Sequence, residues 1–267
     1  MTDAIDLDRF PLDRPDSDAY RALLDRCQAD LERDGMYNLR GFLRPGRAGE
    51  VVDRLAPRFD TEAFTHAREH NIYFKERIDG LDPDHPALRR FRTVNHTLCG
   101  DQLTDTILTE LHRWPPFARF LADTMGKDVL YPMDDPLAGV NAMQYRAGEA
   151  LNWHFDRSEF TTTLLLQAPE AGGAFEYAKD LRSDDDPNYA GVADLIDGRA
   201  PARQLTLEAG TLNVFRGKNT AHRVTPVAGD VTRVIAVFSY YDRPGVMFSA
   251  EEQIGFYGRA AAGAAVG

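Results

Sequence analysis

The chain has 267 residues, of which 43% are hydrophobic and 27% are charged, and its formal net charge is −11. The length suits one large domain with a sizeable hydrophobic core. The excess of acidic residues argues against nucleic acid or an anionic membrane as the main partner, because both require basic patches. It leaves a small-molecule substrate open, since a local pocket can carry the opposite sign.

The two cysteines, Cys27 and Cys99, lie in no CxxC or Cys/His spacing, so neither a disulfide framework nor a zinc site is expected. The first residues lack the basic and apolar regions of a signal peptide. No apolar run approaches the roughly 18 residues that a membrane span requires. We therefore expect a cytoplasmic protein that has no membrane partner.

The beginning of the chain predicts helices around one strand. Residues 1–15 are acidic and contain proline, and we interpret them as a loosely packed arm. A helix is predicted to begin at Ser17 and to stop at Gly35, because leucines recur between them at helical spacing. A strand is predicted over 36–43, and a second helix follows through residues 51–55.

The next part of the chain also predicts helices. Residues 61–74 are interpreted as a third helix, and 79–100 as a turn-rich loop with a short extended piece near Phe91. A longer helical pattern covers 103–125 and is interrupted at two prolines. Residues 1–135 are thus predicted to be a mainly helical region that supports the rest of the chain.

From about residue 136 the pattern changes to short apolar segments separated by glycines. Strands are predicted near 140–146, 151–155, 160–167, 174–177, 203–207, 211–215, 221–226 and 231–241. Many short strands at this spacing indicate a sandwich or a barrel. The segment 179–200 reads as a polar insertion, which we expect to serve as a lid, and the small residues 260–267 as a frayed tail.

One short stretch, Trp153-His154-Phe155-Asp156, carries the chemistry. On an extended strand, side chains two residues apart project to the same face, so His154 and Asp156 supply an imidazole and a carboxylate together. These are two of the three ligands in a facial triad for non-haem Fe(II), and His222 is well placed to be the third. The alternative interpretation of such a tripeptide alone is a surface polar pair beside a strand.

The sequence around these residues resembles a known family. The elements occur in this order: Tyr145-x-x-Gly148, His154-x-Asp156, Gly172-Gly173-x-Phe175, Gly210-Thr211-Leu212-x-Val214-Phe215, His222-x-Val224-x-Pro226-Val227-x-x-Gly229 and Arg233. This set is similar to the iron- and 2-oxoglutarate-dependent oxygenases on the prolyl-hydroxylase-like side, over residues 140–242. The stretch 154–167 is also similar to the branch that contains radical halogenases and hydroxylases of free amino acids.

The resemblance implies a fold and a set of cofactors. The fold is α+β, with a double-stranded β-helix core (jelly-roll, cupin-like) over 136–259 and the helical region 1–135 packed on it. His154, Asp156 and His222 would be the catalytic metal ligands for Fe(II), and 2-oxoglutarate and O2 would be the cosubstrates. A homodimer is compatible with this organisation.

Three further residues would bind 2-oxoglutarate. Arg233 begins an apolar strand, and burying it requires an anion; its planar guanidinium matches the distal carboxylate of 2-oxoglutarate. A salt bridge at a strand edge is the alternative. Tyr145 matches a family tyrosine that reaches 2-oxoglutarate by its hydroxyl, although core packing also explains it. Ser239 alternates to the same strand face as Arg233 and could assist it.

The retained Asp156 favours hydroxylation, because halogenases of the family carry Gly or Ala at this position and thereby free a site for chloride. The expected reaction is decarboxylation of 2-oxoglutarate coupled to hydroxylation of an unactivated C–H bond of a small polar substrate, such as a free amino acid or a natural-product precursor. Arg92 is a candidate for binding a substrate anion and Trp153 for walling the pocket. A surface arginine and core packing are the respective alternatives.

Two other functions remain open at this stage. One is a cupin-like metal-binding module without enzymatic activity, which would have no need for a buried Arg233. The other is a hydroxylase of protein side chains, which would require an open groove rather than a lid formed by 179–200.

Overall fold

The computed structural model describes residues 1 and 3–262. The helices in this part of the chain are α1 (Asp18–Asp34), α2 (Arg47–Thr61), α3 (Ile107–His112), α4 (Pro115–Met125), α5 (Tyr189–Ile196) and α6 (Ala250–Tyr257). The strands are β1 (Met36–Leu39), β2 (Phe64–His70), β3 (Phe91–Leu98), β4 (Tyr131–Pro132), β5 (Val140–Tyr145), β6 (Leu151–His154), β7 (Thr161–Gln167), β8 (Ala171–Gly172), β9 (Phe175–Ala178), β10 (Arg203–Leu205), β11 (Leu212–Phe215), β12 (Ala221–Val224), β13 (Val227–Ala228), β14 (Arg233–Phe238) and β15 (Tyr240–Tyr241). None of the described helices is both long enough and apolar enough to cross a membrane.

Two antiparallel sheets form the core of the fold. The major sheet has the strand order β1-β11-β7-β14-β5-β3-β2, and the minor sheet has the order β10-β9-β12-β6. Side chains of both sheets pack together between them: Met36 and Phe215 from the major sheet contact Phe175, Tyr177 and Val224 from the minor sheet. This arrangement confirms the predicted α+β class with a double-stranded β-helix core.

The two faces of the major sheet have different neighbours. Along β14, Val234, Ala236 and Phe238 belong to the large apolar cluster that the sheet shares with α1, α2 and α4. Because side chains alternate along a strand, Arg233 and Ile235 point the other way, between the two sheets. We call this second face the inner face of the major sheet. The helices therefore cover one face and leave the inner face for the site.

The first helix begins and ends where the sequence predicts. The Ser17 hydroxyl accepts a hydrogen bond from the Tyr20 amide at 3.1 Å, which caps the first turn. At the other end, Gly35 has a φ of +76°, a left-handed conformation that suits glycine, and the chain passes directly into β1.

The predicted helix over 61–74 is wrong, because most of this segment is the strand β2. It pairs with β3 along its whole length, from Phe64 opposite Thr97 to His70 opposite Phe91. The short extended piece predicted near Phe91 is likewise a full strand, β3. Exposed and less exposed residues alternate along β2, which is the period of a strand and not of a helix. The first half of the chain therefore extends the major sheet.

The loosely packed arm predicted over 1–15 is also wrong. Ile5, Phe10 and Leu12 are buried, and the Phe10 ring lies 5.9 Å from that of Phe42. The apolar side chains of this segment join the same cluster that covers the outer face of the sheet. The free energy gained by burying these apolar side chains is sufficient to pack the segment, while the acidic side chains between them stay at the surface.

The segment 179–200 is less polar in its structure than its composition suggests. Its second half forms α5, whose Val192 and Leu195 are buried against Trp153 and Phe155. The polar interpretation therefore holds only for the part before α5, and the lid role stays a prediction. Of the predicted tail 260–267, residues 263–267 lie outside the described part of the chain.

The burial of the first residues can be tested with a matched pair of isoleucines. Ile5 is fully buried, whereas Ile254 is 54% exposed on α6. We expect Ile5→Ala to lower the free energy of unfolding by about 2–5 kcal/mol, because it leaves a cavity. Ile254→Ala should change it by less than about 0.5 kcal/mol. Chemical denaturation measures both, and equal effects would contradict the packing of the first residues.

Candidate metal centre

The centre is built where β6 and β12 pair. His154 lies directly opposite His222 in this antiparallel pair, so the two imidazoles meet with ring centroids 4.1 Å apart. Asp156 follows β6 by two residues and is placed by its backbone amide, which donates to the carbonyl of Gly217 at 3.0 Å. The strand ends at His154, so this loop contact, and not strand alternation as predicted, brings the carboxylate to the two histidines.

The three side chains converge on one point. Asp156 Oδ1 lies 3.4 Å from His154 Nε2, and Asp156 Oδ2 lies 3.4 Å from His222 Nε2. The three candidate ligand atoms are all within 4.8 Å of one another. The structure thus brings together the three residues that the sequence predicts as ligands.

Both histidines are oriented by the same kind of hydrogen bond. Nδ1 of His154 lies 2.8 Å from the carbonyl oxygen of Asn152, and Nδ1 of His222 lies 2.9 Å from that of Thr220. A carbonyl oxygen can only accept, so each Nδ1 carries the proton and donates it. In the neutral rings each Nε2 is then left with a lone pair that points at the centre, which is the arrangement metal-binding histidines require.

The Asp156 carboxylate is held in place by close packing. The Thr161 hydroxyl donates a hydrogen bond to Oδ2. A β-carbon at Gly217 would overlap this same oxygen, so only glycine leaves room for the carboxylate. Gly217 therefore contributes to the centre in two ways: by its carbonyl and by its missing side chain.

The pKa values of the three groups follow from burial and mutual attraction. Burial lowers the pKa of His154. Burial also acts to lower the pKa of His222, but the attraction of the Asp156 carboxylate outweighs burial, so the pKa of His222 is raised. Burial would raise the pKa of Asp156, yet the two histidines hold it well below its usual range. The carboxylate therefore stays ionised and is available as an anionic ligand.

The donor set fits an iron ion. Two imidazole nitrogens and one carboxylate oxygen are the facial triad of non-haem Fe(II) sites, which leaves further coordination positions open. Residues on other strands add apolar walls: the rings of Phe175 and Phe215 lie 5.6 Å and 4.8 Å from that of His222. His154, Asp156 and His222 could hold the ion.

Arg233 is connected to this centre through Phe175. It is 3% exposed at the start of β14, and its guanidinium carbon is 5.7 Å from the Tyr145 ring centre. Burial lowers its pKa, and no acidic side chain pairs with it within the described residues. It lines a cavity of about 280 Å³ together with Gly173 and Phe175, and Phe175 also packs on His222. A β-carbon at Gly173 would come 3.2 Å from Arg233 Cδ, so the glycine gives the arginine room.

Tyr145 and Ser239 differ in their relation to Arg233. Tyr145 is opposite Arg233 in the sheet and is buried, which raises the pKa of its hydroxyl to about 12. That hydroxyl contacts Met143 Sδ at 4.0 Å, and its role towards 2-oxoglutarate stays a prediction. Ser239 lies beyond the other end of β14, roughly 20 Å along the strand from Arg233. The prediction that it assists Arg233 is therefore wrong.

The two predicted substrate residues do not lie in the site. Arg92 is exposed on the face of β3 opposite to Thr93, so it points away from the inner face. Trp153 is buried, but it packs outside the minor sheet with Val192 of α5 and under the Arg223 guanidinium, 4.8 Å away. Strand alternation explains the second error: next to an inward His154, Trp153 must point outward. Both predictions are wrong.

Sequence reasoning missed the inner face of β2. Because Arg68 is directly opposite Thr93 and His70 donates to or accepts from the Thr93 hydroxyl at 2.8 Å, both side chains share the inner face. Phe74, just beyond β2, stacks on His70 at 4.5 Å and meets His154 edge-on at 6.4 Å. The alternation of Phe64, His66, Arg68 and His70 with smaller or acidic residues was the available signal.

Solved structures share this fold. The non-heme alpha-ketoglutarate-dependent epimerase SnoN from nogalamycin biosynthesis is 17% identical, covers 83% of each chain and has a TM-score of 0.57. AviO1 from Streptomyces viridochromogenes Tue57 is 18% identical over 83% of this chain and 96% of its own, with a TM-score of 0.55. A Pseudomonas putida prolyl-4-hydroxylase is 14% identical over 81% and 98%, with a TM-score of 0.50.

At these identities the likeness carries the fold alone. The fold is the double-stranded β-helix that these oxygenases share, and in this chain it carries a His-Asp-His cluster. The family model for Halogenase D matches residues 22–249, which is most of the chain, and the chain belongs to this family. The resemblance that the motifs indicate is thereby confirmed. Among curated proteins, no sequence relative is found.

The packing of Gly217 against Asp156 makes a test of the centre. We expect Gly217→Ala to displace the carboxylate and to weaken Fe(II) binding at least tenfold, because the positioning of a ligand is worth roughly 10–100-fold in metal affinity. Gly49→Ala is the matched control, since position 49 lies on α2 with open space around it. Anaerobic calorimetric titration measures the affinity, and circular dichroism checks the fold. Unchanged affinity in Gly217→Ala would argue against Asp156 as a ligand.

Proposed function

We propose that the protein is an Fe(II)- and 2-oxoglutarate-dependent oxygenase that hydroxylates an unactivated C–H bond of a small polar substrate. One observation carries this proposal: Phe175 connects the His-Asp-His cluster, where its ring packs on His222, to a cavity lined by the buried Arg233, which has no acidic partner within the described residues. A buried cation is costly unless it meets an anion. The cluster would bind iron, and Arg233 would bind a dicarboxylic acid.

Different residues would bind the metal ion and the cosubstrate. His154, Asp156 and His222 would hold Fe(II) on one face, and the bound ion with 2-oxoglutarate and O2 would supply the oxidising chemistry, with succinate and carbon dioxide as coproducts. Arg233 would fix the distal carboxylate of 2-oxoglutarate by charge-assisted hydrogen bonds. Tyr145, directly opposite it, would pack against the same molecule.

The walls of the centre would exclude water. Phe175 and Phe215 cover His222, and Phe74 lies against His154. An apolar surrounding strengthens the charged contacts inside it and keeps bulk water away from reactive groups. These aromatic residues therefore support a site for oxidation of a C–H bond.

A second candidate reaction is halogenation, because the family to which the chain belongs is described as Halogenase D. Hydroxylation has the stronger support in this chain. Asp156 occupies the ligand position that a chloride ion would need, and both Thr161 and Gly217 hold its carboxylate there. The two reactions differ in their product, so one experiment separates them.

Two further alternatives have less support. A cupin-like metal-binding module without activity gives no reason for the buried Arg233. A hydroxylase of protein side chains would require an open groove, whereas the Tyr73 hydroxyl donates to the carbonyl of Pro187 and ties the loop after β2 to the segment before α5. The Tyr73 ring also lies 5.6 Å from that of Phe155, next to Asp156, so this tie would hinder a bulky substrate near the centre.

The function is tested by adding Fe(II) and 2-oxoglutarate without oxygen, supplying candidate substrates with chloride present, and then admitting oxygen. We expect substrate-coupled succinate and a product heavier by one oxygen atom, measured by mass spectrometry. His154→Ala, which removes one ligand, should give neither. A chlorinated product would favour the second candidate, and equal succinate formation by His154→Ala would overturn the metal assignment.

The role of Arg233 is tested separately. Arg233→Met should raise the concentration of 2-oxoglutarate required for half-maximal succinate formation by tenfold or more, because a hydrogen bond to a charged group is worth about 1.5–3 kcal/mol. Arg243→Met, which changes an exposed arginine, is the control. If the requirement of Arg233→Met equals that of the control, another residue must bind the cosubstrate.

A further inference from the structure

Arg68 is a second arginine on the inner face of the major sheet, and it has no acidic partner within the described residues. It lies in the middle of β2, opposite Thr93. The Thr93 hydroxyl accepts a hydrogen bond from the backbone amide of Asn152 at 3.0 Å, and Asn152 belongs to β6, the strand that carries His154. Arg68 therefore projects from the face of the sheet that looks towards the metal centre.

The polar atoms of Arg68 are not satisfied. Its Nε is buried and has no hydrogen-bond partner within the described residues, and no carboxylate pairs with its guanidinium there. The neighbouring Glu69 lies on the exposed side of β2, where its carboxylate is 3.9 Å from Arg90. A buried N–H group without a partner costs about 1–3 kcal/mol, and more where the group is charged. Such a group is expected to have a partner when the protein is at work.

The groups around Arg68 offer it no negative charge. Burial lowers the pKa of His66 to about 4 and also lowers that of His70, so both rings are neutral near pH 7. The charge of Arg157 acts on Arg68 with the same sign, and Arg157 itself is 74% exposed and pairs with Glu252 at 3.3 Å. The inner face of β2 is thus positive, although the whole protein is acidic.

Phe74 connects Arg68 to the metal centre. The Arg68 guanidinium carbon lies 4.5 Å from the centre of the Phe74 ring, which also meets His154 edge-on. Phe74 is 43% exposed and has a φ of +55°, an uncommon conformation for a bulky residue. The loop is fixed by the Asn71 side chain, which accepts hydrogen bonds from the amides of Tyr73 and Lys75. An exposed aromatic residue with a strained backbone beside the candidate metal ligand His154 is typical of a residue that lines a binding site.

We propose that Arg68 binds an oxyanion of the substrate, a carboxylate or a phosphate, above the ring of Phe74, and thereby directs the rest of the molecule to the metal centre. This inference rests on the proposed oxygenase function and deepens it, since it makes the substrate a small anion. The cation–π contact with Phe74 alone does not account for Arg68, because it leaves Nε unpaired.

Arg233 and Arg68 then serve two different anions. Arg233 lies on β14 in the cavity behind Phe175, and Arg68 lies on β2, at the edge of the same sheet. One arginine would bind the cosubstrate and the other the substrate. Arg92, which is directly adjacent to Thr93 on β3 but exposed on the opposite face, provides a matched control for Arg68.

The first test measures anion binding directly. The protein is loaded with Mn(II) and excess 2-oxoglutarate without oxygen, so that Arg233 is occupied, and is titrated with acetate and with inorganic phosphate. The arginine Nε–Hε signals are followed by NMR. For these NMR samples Zn(II) replaces Mn(II), because Zn(II) is diamagnetic and does not broaden the signals. We expect one signal, absent from Arg68→Met and present in Arg92→Met, to shift saturably with at least one anion. No saturable shift of that signal, or the same binding by Arg68→Met, would overturn the proposal.

The second test identifies the source of the anion by succinate formation. Amino acids are compared with their amides, and nucleoside monophosphates with their nucleosides. We expect the anionic member of an active pair to be preferred, and Arg68→Met to raise its KM by roughly tenfold to a hundredfold, with partial rescue in Arg68→Lys. Equal use of the neutral member would overturn the anion site. A saturable anion shift without 2-oxoglutarate binding or succinate formation would instead overturn the oxygenase function and leave the anion site standing.

Discussion

The pairing of β6 with β12 is the constraint on which the centre depends. It sets His154 opposite His222, and each ring is turned by a hydrogen bond from its own Nδ1 to a carbonyl two residues earlier. The Asn152 carbonyl belongs to β6 and the Thr220 carbonyl lies directly before β12, so the segments that pair also orient the imidazoles. Only the carboxylate comes from outside the pair. A shift of one residue in this register would leave the two histidines on opposite faces, so that only one of them could reach the centre.

The inner face of the major sheet carries positive charge, although the chain as a whole is acidic. The chain has a net charge of −11, yet its inner face carries Arg233 and Arg68, and neither pairs with an acidic side chain among the described residues. Buried charges without partners reduce stability. Their presence in a fold whose outer face is well packed indicates that stability has been given up for binding. The acidic surface would not oppose the entry of an anion strongly, because salt screens exposed charges beyond about 8–10 Å.

The sequence predicted the centre better than its surroundings. His154, Asp156 and His222 could be predicted because their spacing and order are set by the chemistry of one ion, and Arg233 because a charge in an apolar strand is conspicuous. The predictions for Arg92 and Trp153 were wrong because the face to which a strand residue points depends on where the strand begins and which sheet it joins. The inner face of β2 was missed because residues 61–74 are interpreted as a helix from the sequence. That interpretation hides the strand alternation that places Arg68 inward.

The surroundings of Asp156 are built to accommodate a carboxylate. A carboxylate at this position needs space, and the space comes from Gly217, a residue 61 positions later that also holds the Asp156 amide. Its Oδ2 atom also accepts a hydrogen bond, which the Thr161 hydroxyl donates. Asp156, Thr161 and Gly217 thus together form a place for a carboxylate. An aspartate in a site built for chloride would not be expected to have both a cleared space and a hydrogen-bond donor, so these contacts support the proposed hydroxylation over the alternative of halogenation.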